Sequence, residues 1–582
     1  MSLRWFPRTC RRLLSGKVAR SLAFIMAGLS PLAAAAQQPE PPSLLAAARA
    51  ETLDRTQPFA QPVAAQQAGY SAANYAAMEE RLRLLEEQYE DQQMRFAALA
   101  EEKQDAKAAT AKGTIVGSDT KMGGKWKEGA ALETEDKAFK VKWRGRTQFD
   151  TSGWSDASGS YFRGLSGNQG DTAVDFRRLR LGTEGTIYEQ FNFAVELDFI
   201  NSFNTNGSTN QFAPNNNIKN AYDRQFFGVP APTDVWVGMQ EVPLFGNIRA
   251  GNVKPCNGLE HANSSRFLDF MERSLNQDAF VGRFNNGFQP GLLIWNYNEA
   301  ETMTFHSSLC ANSYNVFAYE AGGYDAAQRL TWTPVYHEES HGRYMVHVGC
   351  SVTERQCVDG QARIRARPSL RNGISQSWSS VADTTIFFSD QEYLVVPEIA
   401  VLAGPWQFQA EYFGQWNQNV HVNTSAVNLA QGPNLGTAYF QGYYAQVGYF
   451  LTGEHREYER KTASFGRVVP YENFHFIKNG RGRALLTGGA WQLLYRYTLL
   501  DLNDPRLANV NSFSAGAVNG VGGGTVYDHT IGLNHFLNPN MKLQYNFVIS
   551  DRGPSAASPA IGGQTQTGGT AYGFGARIAL DF

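Results

Sequence analysis

The chain lacks long apolar runs. Its mean hydropathy is −0.38, which excludes a polytopic helical membrane protein, since each helical span needs about 20 consecutive apolar residues. Cysteine is scarce, with five in 582 residues, and alanine-rich segments are confined mostly to the N-terminal part. Neither sign of charge dominates: 52 Lys and Arg stand against 54 Asp and Glu. The sequence holds no nucleotide-binding loop and no nucleophile triad signature, so no enzyme activity, cofactor or nucleic-acid partner is expected. What it has in quantity is aromatic and small, with 37 Phe, 25 Tyr, 11 Trp and 56 Gly. That composition is β-rich. A transmembrane β-barrel is compatible with low hydropathy, because every second residue of its strands is polar.

The first 138 residues read differently from the rest. Residues 1–36 have a basic start (Arg4, Arg8, Arg11, Arg12), a short apolar core (Leu22–Leu32) and small residues Ala34 and Ala36, which is the pattern of a cleaved secretory signal. Cys10 would leave with it. Cys256, Cys310, Cys350 and Cys357 would remain in an oxidising compartment, where one or two loop disulfides are expected with unreadable pairing. Residues 37–70 are rich in Ala, Gln and Pro and read as a disordered tether. In 71–108 the residues Tyr75, Met78, Leu82, Leu85, Tyr89, Gln92, Phe96 and Leu99 alternate spacings of three and four, as in a short coiled coil. A periplasmic trimeric stalk is expected there; one amphipathic helix packed on its own barrel remains the other reading. Residues 109–138 form a linker.

From Phe139 the period becomes two. In Phe139–Asp150, Phe139, Val141, Trp143, Thr147 and Phe149 share one face and Lys140, Lys142, Arg144, Arg146, Gln148 and Asp150 the other. Alternation and turn signals place sixteen strands, near 139–154, 175–188, 190–201, 234–241, 246–254, 286–297, 301–311, 324–336, 342–353, 391–403, 405–418, 438–452, 487–502, 524–538, 540–551 and 570–582. Tight links such as Glu189-Gln190, Gly404-Pro405 and Asn538–Asn540 alternate with long ones such as 202–233, 255–285 and 354–390. Short turns at one rim and long loops at the other are the pattern of a closed antiparallel transmembrane barrel. The fold class is therefore all-β, a 16-stranded antiparallel transmembrane β-barrel over 139–582, with the N-terminal coiled coil beside it. One link breaks the alternation: 453–486 lies at the short-turn rim but is long and charged, and is expected to fold up into the lumen.

Several stretches resemble the phosphate-selective porin O and P family in order and spacing: DFRRLRLGTEGTIYEQFNFAVELDF (175–199), GNVKPCNGLEHANSSRFLDFMERS (251–274), GYFLTGEHREYERKTASFGRVVP (448–470), GAWQLLYRYTLLDLND (489–504) and GLNHFLNPNMKLQYNF (532–547). The C-terminal ARIALDF, ending in Phe582, is similar to the terminal signature that outer-membrane insertion machinery reads. The resemblance implies a Gram-negative outer-membrane porin, commonly a homotrimer, whose segments 255–285, 354–390 and 453–486 narrow a pore for small anions such as phosphate or for hydrophilic solutes. A general non-selective porin is the alternative.

Fixed positive charge along a narrow aqueous path is what anion passage needs, and several weak sites serve better than one deep one. Candidate pore-lining residues are Lys140, Lys142, Arg144, Arg146, Arg178 and Arg180 on the wall. In the constricting segments they are Arg266, Arg273, Arg363, Arg365, Arg367, Arg371, Arg456, Arg460, Lys461 and Arg467. Inward arginines can instead pair with lumen acids such as Glu184, Glu196 and Asp198. Charge over 139–582 is 34 basic against 37 acidic side chains, so nothing global favours anions. Family members that bind phosphate carry lysines around the EHANSSR stretch, where this chain has His261 and Arg266; the resemblance therefore implies anion passage without fixing phosphate.

Two rival readings carry a definite signature. His337–His341 matches HExxH, but zinc peptidase chemistry needs both histidines on one helix face, and strand patterns flank this site with Gly342 just beyond, so a hairpin turn is expected and no metal site. The second rival is a structural role in which the coiled coil tethers the outer membrane and the barrel is only an anchor.

Overall fold

The computed structural model describes Arg83 and residues 120–126, 129–159, 161, 172–200, 230–282, 287–312, 323–357, 360–371, 380–384, 387–423, 431–478, 484–504, 522–553 and 568–582. The expected signal peptide, tether and coiled coil thus lie outside the described residues, Arg83 apart. The chain divides into two compact units, Met1–Lys112 and Gly113–Phe582, and the second contains the barrel.

Sixteen antiparallel strands form it: β1 Phe139–Asp156, β2 Ala173–Ile187, β3 Phe191–Asp198, β4 Ala231–Val242, β5 Gly246–Val253, β6 Gln289–Tyr297, β7 Met303–Ala311, β8 Tyr324–Tyr336, β9 Tyr344–Gln356, β10 Gln391–Ala403, β11 Trp406–Gln418, β12 Ala438–Phe450, β13 Ala490–Asn503, β14 Gly522–Asn538, β15 Met541–Arg552 and β16 Gly569–Asp581. Each pairs with the next, and β16 returns to β1, Ala571 opposite Asp156 and Asp581 opposite Arg146. Closure leaves no barrel strand with an open edge, which a lipid environment requires because it offers no hydrogen bonds.

Side-chain alternation explains why these segments become strands and why they close. Trp143, Phe149, Phe176, Leu181, Val237, Leu309, Trp332, Phe408, Leu493, Ile531, Phe574 and Ile578 are exposed on the outer surface, while Arg144, Arg146, Gln148, Asp150, Arg178, Arg180, Arg496 and Arg577 are buried inside. A sheet with this pattern is stable only with hydrocarbon outside. The seam is fastened at Gly145, whose N–H donates to the Phe582 carbonyl at 2.8 Å and whose carbonyl accepts the Phe582 N–H at 3.1 Å. A Cβ at Gly145 would meet the Phe582 ring at 2.5 Å, so only glycine leaves room for the terminal aromatic. A hairpin of Met122–Trp126 and Ala130–Thr134 leads in, its second strand pairing with β1 at Lys140–Lys142.

The interior is not uniformly polar. Met271, Leu275 and Phe280 of the segment between β5 and β6 pack with Ile364, Leu370, Val381 and Phe387 of the segment between β9 and β10, against wall residues Trp154, Leu394, Val396, Phe413, Phe440 and Leu500. A loop held inside a wet barrel must offset about 1–2 kcal/mol of ordering entropy per residue, and this apolar core supplies the offset. The long segment at the short-turn rim also enters the lumen: the Tyr458 hydroxyl lies 2.7 Å from His347 Nδ1, the Phe465 N–H donates to Asn263 Oδ1 at 2.8 Å, and Arg329 donates to the Ala463 carbonyl at 2.9 Å.

The expected loop disulfides are a correction: Cys256, Cys310, Cys350 and Cys357 are thiols. Cys310 faces inward and is buried, whereas Cys350 faces outward from the wall, so the pleat itself keeps them apart. Cys256 donates instead to the Ala327 carbonyl at 3.2 Å.

Candidate pore constriction

The segment between β5 and β6 crosses the bore and is tied to strands all around it. The short helix α1, Leu259–Ala262, is capped from the wall of β11: Glu411 accepts the N–H groups of Leu259 at 2.6 Å and Glu260 at 2.9 Å. Leu259 and Glu260 open the first turn, whose N–H groups lack helical partners, so an external carboxylate is the natural mate. On the opposite wall Arg146 donates to Ser265 Oγ at 2.5 Å and Gln148 to the Ser265 carbonyl at 3.2 Å. Farther along the segment, Lys542 donates to the Leu268 carbonyl at 2.9 Å and Asn534 to that of Asp269 at 2.8 Å. Arg496 donates to the Glu272 carbonyl at 3.1 Å. Arg456, from the long turn below, reaches Asp269 at 2.8 Å and the Phe267 carbonyl at 3.0 Å. A small cavity remains at this level, with Glu260, Asp269, Glu272, Arg456 and Arg496 in its lining.

Two carboxylates organise the charge. Glu196 on β3 has four guanidiniums within 4 Å: Arg146 at 3.1 Å, Arg144 at 3.4 Å, Arg180 at 3.4 Å and Arg266 at 3.7 Å. Glu184, Asp198 and Asp234 share in pairing those arginines, so this cluster is neutral. Glu272, in the crossing segment, also has four: Arg177 at 2.8 Å, Arg577 at 3.0 Å, Arg371 at 3.3 Å and Arg178 at 3.6 Å. Arg577 is shared with Asp150 at 2.6 Å, Arg371 with Asp278 at 2.7 Å, and Asp278 also takes Arg367 at 2.5 Å. Five guanidiniums therefore face three carboxylates around Glu272. Burial alone would raise the Glu272 and Asp278 carboxyls, but the guanidiniums of Arg177, Arg178, Arg371 and Arg577 around the first and of Arg367 and Arg371 around the second outweigh it and hold both well below the ordinary range.

The residues singled out from sequence take up several distinct places. Arg144, Arg146, Arg178, Arg180, Arg266, Arg367 and Arg371 belong to the two clusters. Arg273 donates to the carbonyls of Glu260 at 2.9 Å and Asn263 at 2.7 Å and pins its own segment. Arg363 pairs with Asp383 at 2.6 Å, and Arg365 lies opposite Asp383 in a two-residue strand pair beside it. Arg456 ties the long turn to the crossing segment. Arg460 and Lys461 reach the short-turn rim, Arg460 binding Glu338 at 2.7 Å and Lys461 binding Glu301 at 3.4 Å, while Arg467 pairs with Asp581. Lys140 and Lys142 stand at the foot of β1 beside the lead-in hairpin, away from the constriction.

Sequence reasoning passed over Arg177, Arg249, Lys254, Arg329, Arg355, Arg496, Lys542 and Arg577. Arg329, Arg355, Arg496 and Arg577 are fully buried on inward parity, as Arg496 in WQLLYRYTLL and Arg577 in ARIALDF already imply. Arg177 is different. It falls where the β1–β2 register shifts, between Gln148 opposite Arg178 and Phe149 opposite Phe176, and that bulge frees it to bind Glu272. The HExxH segment forms a 3-10 turn over Glu338–Ser340 with His341 left-handed and Glu338 bound to Arg460. No group of three His, Cys, Asp or Glu able to hold a metal occurs among the described residues.

The sequence profile described as phosphate-selective porin O and P matches residues 142–560. Porin O of Pseudomonas aeruginosa is 26% identical over 455 residues, spanning 75% of this chain and 88% of that protein. An uncharacterised protein of Caulobacter vibrioides is 26% identical over 387 residues, 65% of this chain and 64% of that one. Among solved structures, the chain is similar to an anion-selective porin from Comamonas acidovorans, with a TM-score of 0.40 and 11% identity over 76% of this chain and 100% of that one.

Proposed function

Because this chain belongs to the phosphate-selective porin O and P family, an outer-membrane porin family, we propose that its barrel passes small hydrophilic anions and that selection occurs where the segment between β5 and β6 crosses the bore. The observation that carries this reading is the excess of five guanidiniums over three carboxylates around Glu272. That excess is local, and locality is what matters: a fixed charge in a narrow path acts on an ion a few Å away, while the near-neutral remainder is screened beyond about 10 Å. Because most of the arginines are already engaged by acids, they offer a positive potential without a deep trap, which favours release as well as capture. Homotrimers, a cleaved signal over 1–36 and a periplasmic coiled coil over 71–108 complete the proposal. The heptad spacing of Tyr75 through Leu99 supports the coiled coil, since so short a helix gains stability only by association.

The test is a reversal potential across a KCl gradient with the purified protein in a planar bilayer, followed by titration of chloride current with inorganic phosphate. Anion preference is expected, with phosphate reducing the chloride current. Cation preference would overturn the reading, and anion preference without phosphate competition would restrict it to anions in general. A chain lacking 70–105 should conduct as before; loss of cell-envelope attachment with conductance intact would favour the tether reading instead.

A further inference from the structure

Among the described residues, the arginines that face the lumen all have an ion-pair or hydrogen-bond partner, with one exception. Arg249, on β5, has neither. It is held between two indoles, its guanidinium carbon 4.0 Å from the centroid of the Trp236 ring on β4 and 4.5 Å from that of Trp295 on β6. Both tryptophans are buried, at 8% and 7% exposure, within an apolar cluster that includes Ala194, Leu293 and Ala327, whereas Arg249 stays partly exposed. Contact with both rings stabilises the cation by roughly 0.5–2 kcal/mol per ring and restrains the fork. With a ring on the strand to either side, the N–H edge is the approach left to a ligand.

The surroundings narrow the ligand further. Arg249 Nε is buried without a partner, and so are Asn192 Oδ1 on β3 and His306 Nδ1 on β7, each one strand beyond the pair that flanks β5. Asn192 Oδ1 and Arg249 Cγ both border the empty Cβ position of Gly238, at 2.6 and 3.2 Å. His306 lies opposite Trp295 in the β6–β7 register. The nearest acids, Glu184 and Asp234, are taken up by Arg144 at 2.9 and 3.1 Å. They leave Arg249 unpaired, but they face it and oppose a second negative charge. An in-plane fork suits the two oxygens of a carboxylate, the flanking indole rims suit an apolar body, and the nearby acids disfavour a dianion.

We propose that Arg249, clamped by Trp236 and Trp295, forms a subsite on the lumen wall for monoanionic organic acids with a flat apolar body, separate from the Glu272 cluster. This deepens the anion-passage reading and rests on it. The subsite binds such acids on their way through the bore and slows chloride behind them.

The experiment uses the full-length protein in planar bilayers, with benzoate, acetate and benzyl alcohol as probes of chloride current. Benzoate should block at lower concentration than acetate, and benzyl alcohol should not block. Arg249→Gln should raise the half-blocking concentration of benzoate by about tenfold, the scale of one lost charge-assisted contact. Arg249→Lys should lose most of the block as well, because it keeps the charge but not the fork. Heat-modifiable migration on gels would check that each variant assembles. Equal block by benzoate and acetate, or full block in Arg249→Lys, would overturn the subsite. Cation preference in the wild type would overturn the anion reading beneath it, whereas anion preference without benzoate block would remove the subsite alone.

Discussion

Replacing Glu272 with Gln removes the negative charge around which Arg177, Arg178, Arg371 and Arg577 gather. Most of them have another partner. Arg577 keeps Asp150 at 2.6 Å, Arg371 keeps Asp278 at 2.7 Å, and Arg178 keeps Gln148 at 2.7 Å. Arg177 donates to Glu272 at 2.8 and 3.1 Å and would retain at best a neutral amide oxygen there. The expected loss of stability is therefore about 1–3 kcal/mol, the cost of weakening one buried charged contact, below the 3–5 kcal/mol of a wholly stranded ion. The local balance moves from five against three to five against two. One elementary charge acting on a permeating ion about 8 Å away is worth roughly 0.5 kcal/mol in water and 2 kcal/mol at an effective dielectric of about 20. Because the lost charge favours an anion and disfavours a cation by the same amount, the anion-to-cation permeability ratio should rise at least about 5-fold, read from the shift in reversal potential under a KCl gradient. A ratio that stays constant or falls, in a variant that still assembles and conducts, would refute the claim that this cluster sets selectivity.

Three further outcomes follow from the same contacts. Arg456→Ala releases the long turn from Asp269 and the Phe267 carbonyl and removes the guanidinium stacked 4.1 Å from the Phe465 ring; single-channel conductance should rise and become noisier, at a cost of about 3 kcal/mol, and an unchanged conductance would show that this tie does not narrow the bore. For pH the sign is set by Glu272 and Asp278, whose carboxyls sit below their unfolded values. The stability they contribute is present above the ordinary carboxylate pKa of about 4 and is lost only as pH falls below it toward the folded values. Conductance should hold from pH 7 to the ordinary carboxylate range and change only in stronger acid; a transition near neutrality would contradict it. Gly145→Val places a side chain where the Phe582 ring lies, so the β1–β16 seam should form poorly and the yield of heat-modifiable barrel in the membrane should drop sharply, while normal yield would show that the seam tolerates displacement of the terminal aromatic.

The strands were legible because their signal is local. The sixteen expected segments and the sixteen observed strands agree to within about three residues at each end, since alternation and turn residues act over a few positions at a time. The reach of the long 453–486 segment was legible too, from its length at a rim of tight turns. The candidate site was only half legible. Parity placed Arg144, Arg146, Arg178 and Arg180 inside, and the arginine-rich stretches pointed to Arg367, Arg371 and Arg456. Which acid each would meet was not readable, because Arg144 and Asp234, or Arg177 and Glu272, are about ninety residues apart and meet only once the wall and its inserted segment are folded.

The sequence by itself thus determined a closed barrel with lipid-facing aromatics and inward cations, because period-two patterning requires two different media on the two sides of one sheet. Only the tertiary structure decided that most of those cations are paired, that five of them outnumber three acids around Glu272, and that Arg249 stands unpaired between two tryptophans. Ion pairing depends on which side chains a closed cylinder and its inserted loops bring within 4 Å, and no count along the chain contains that distance.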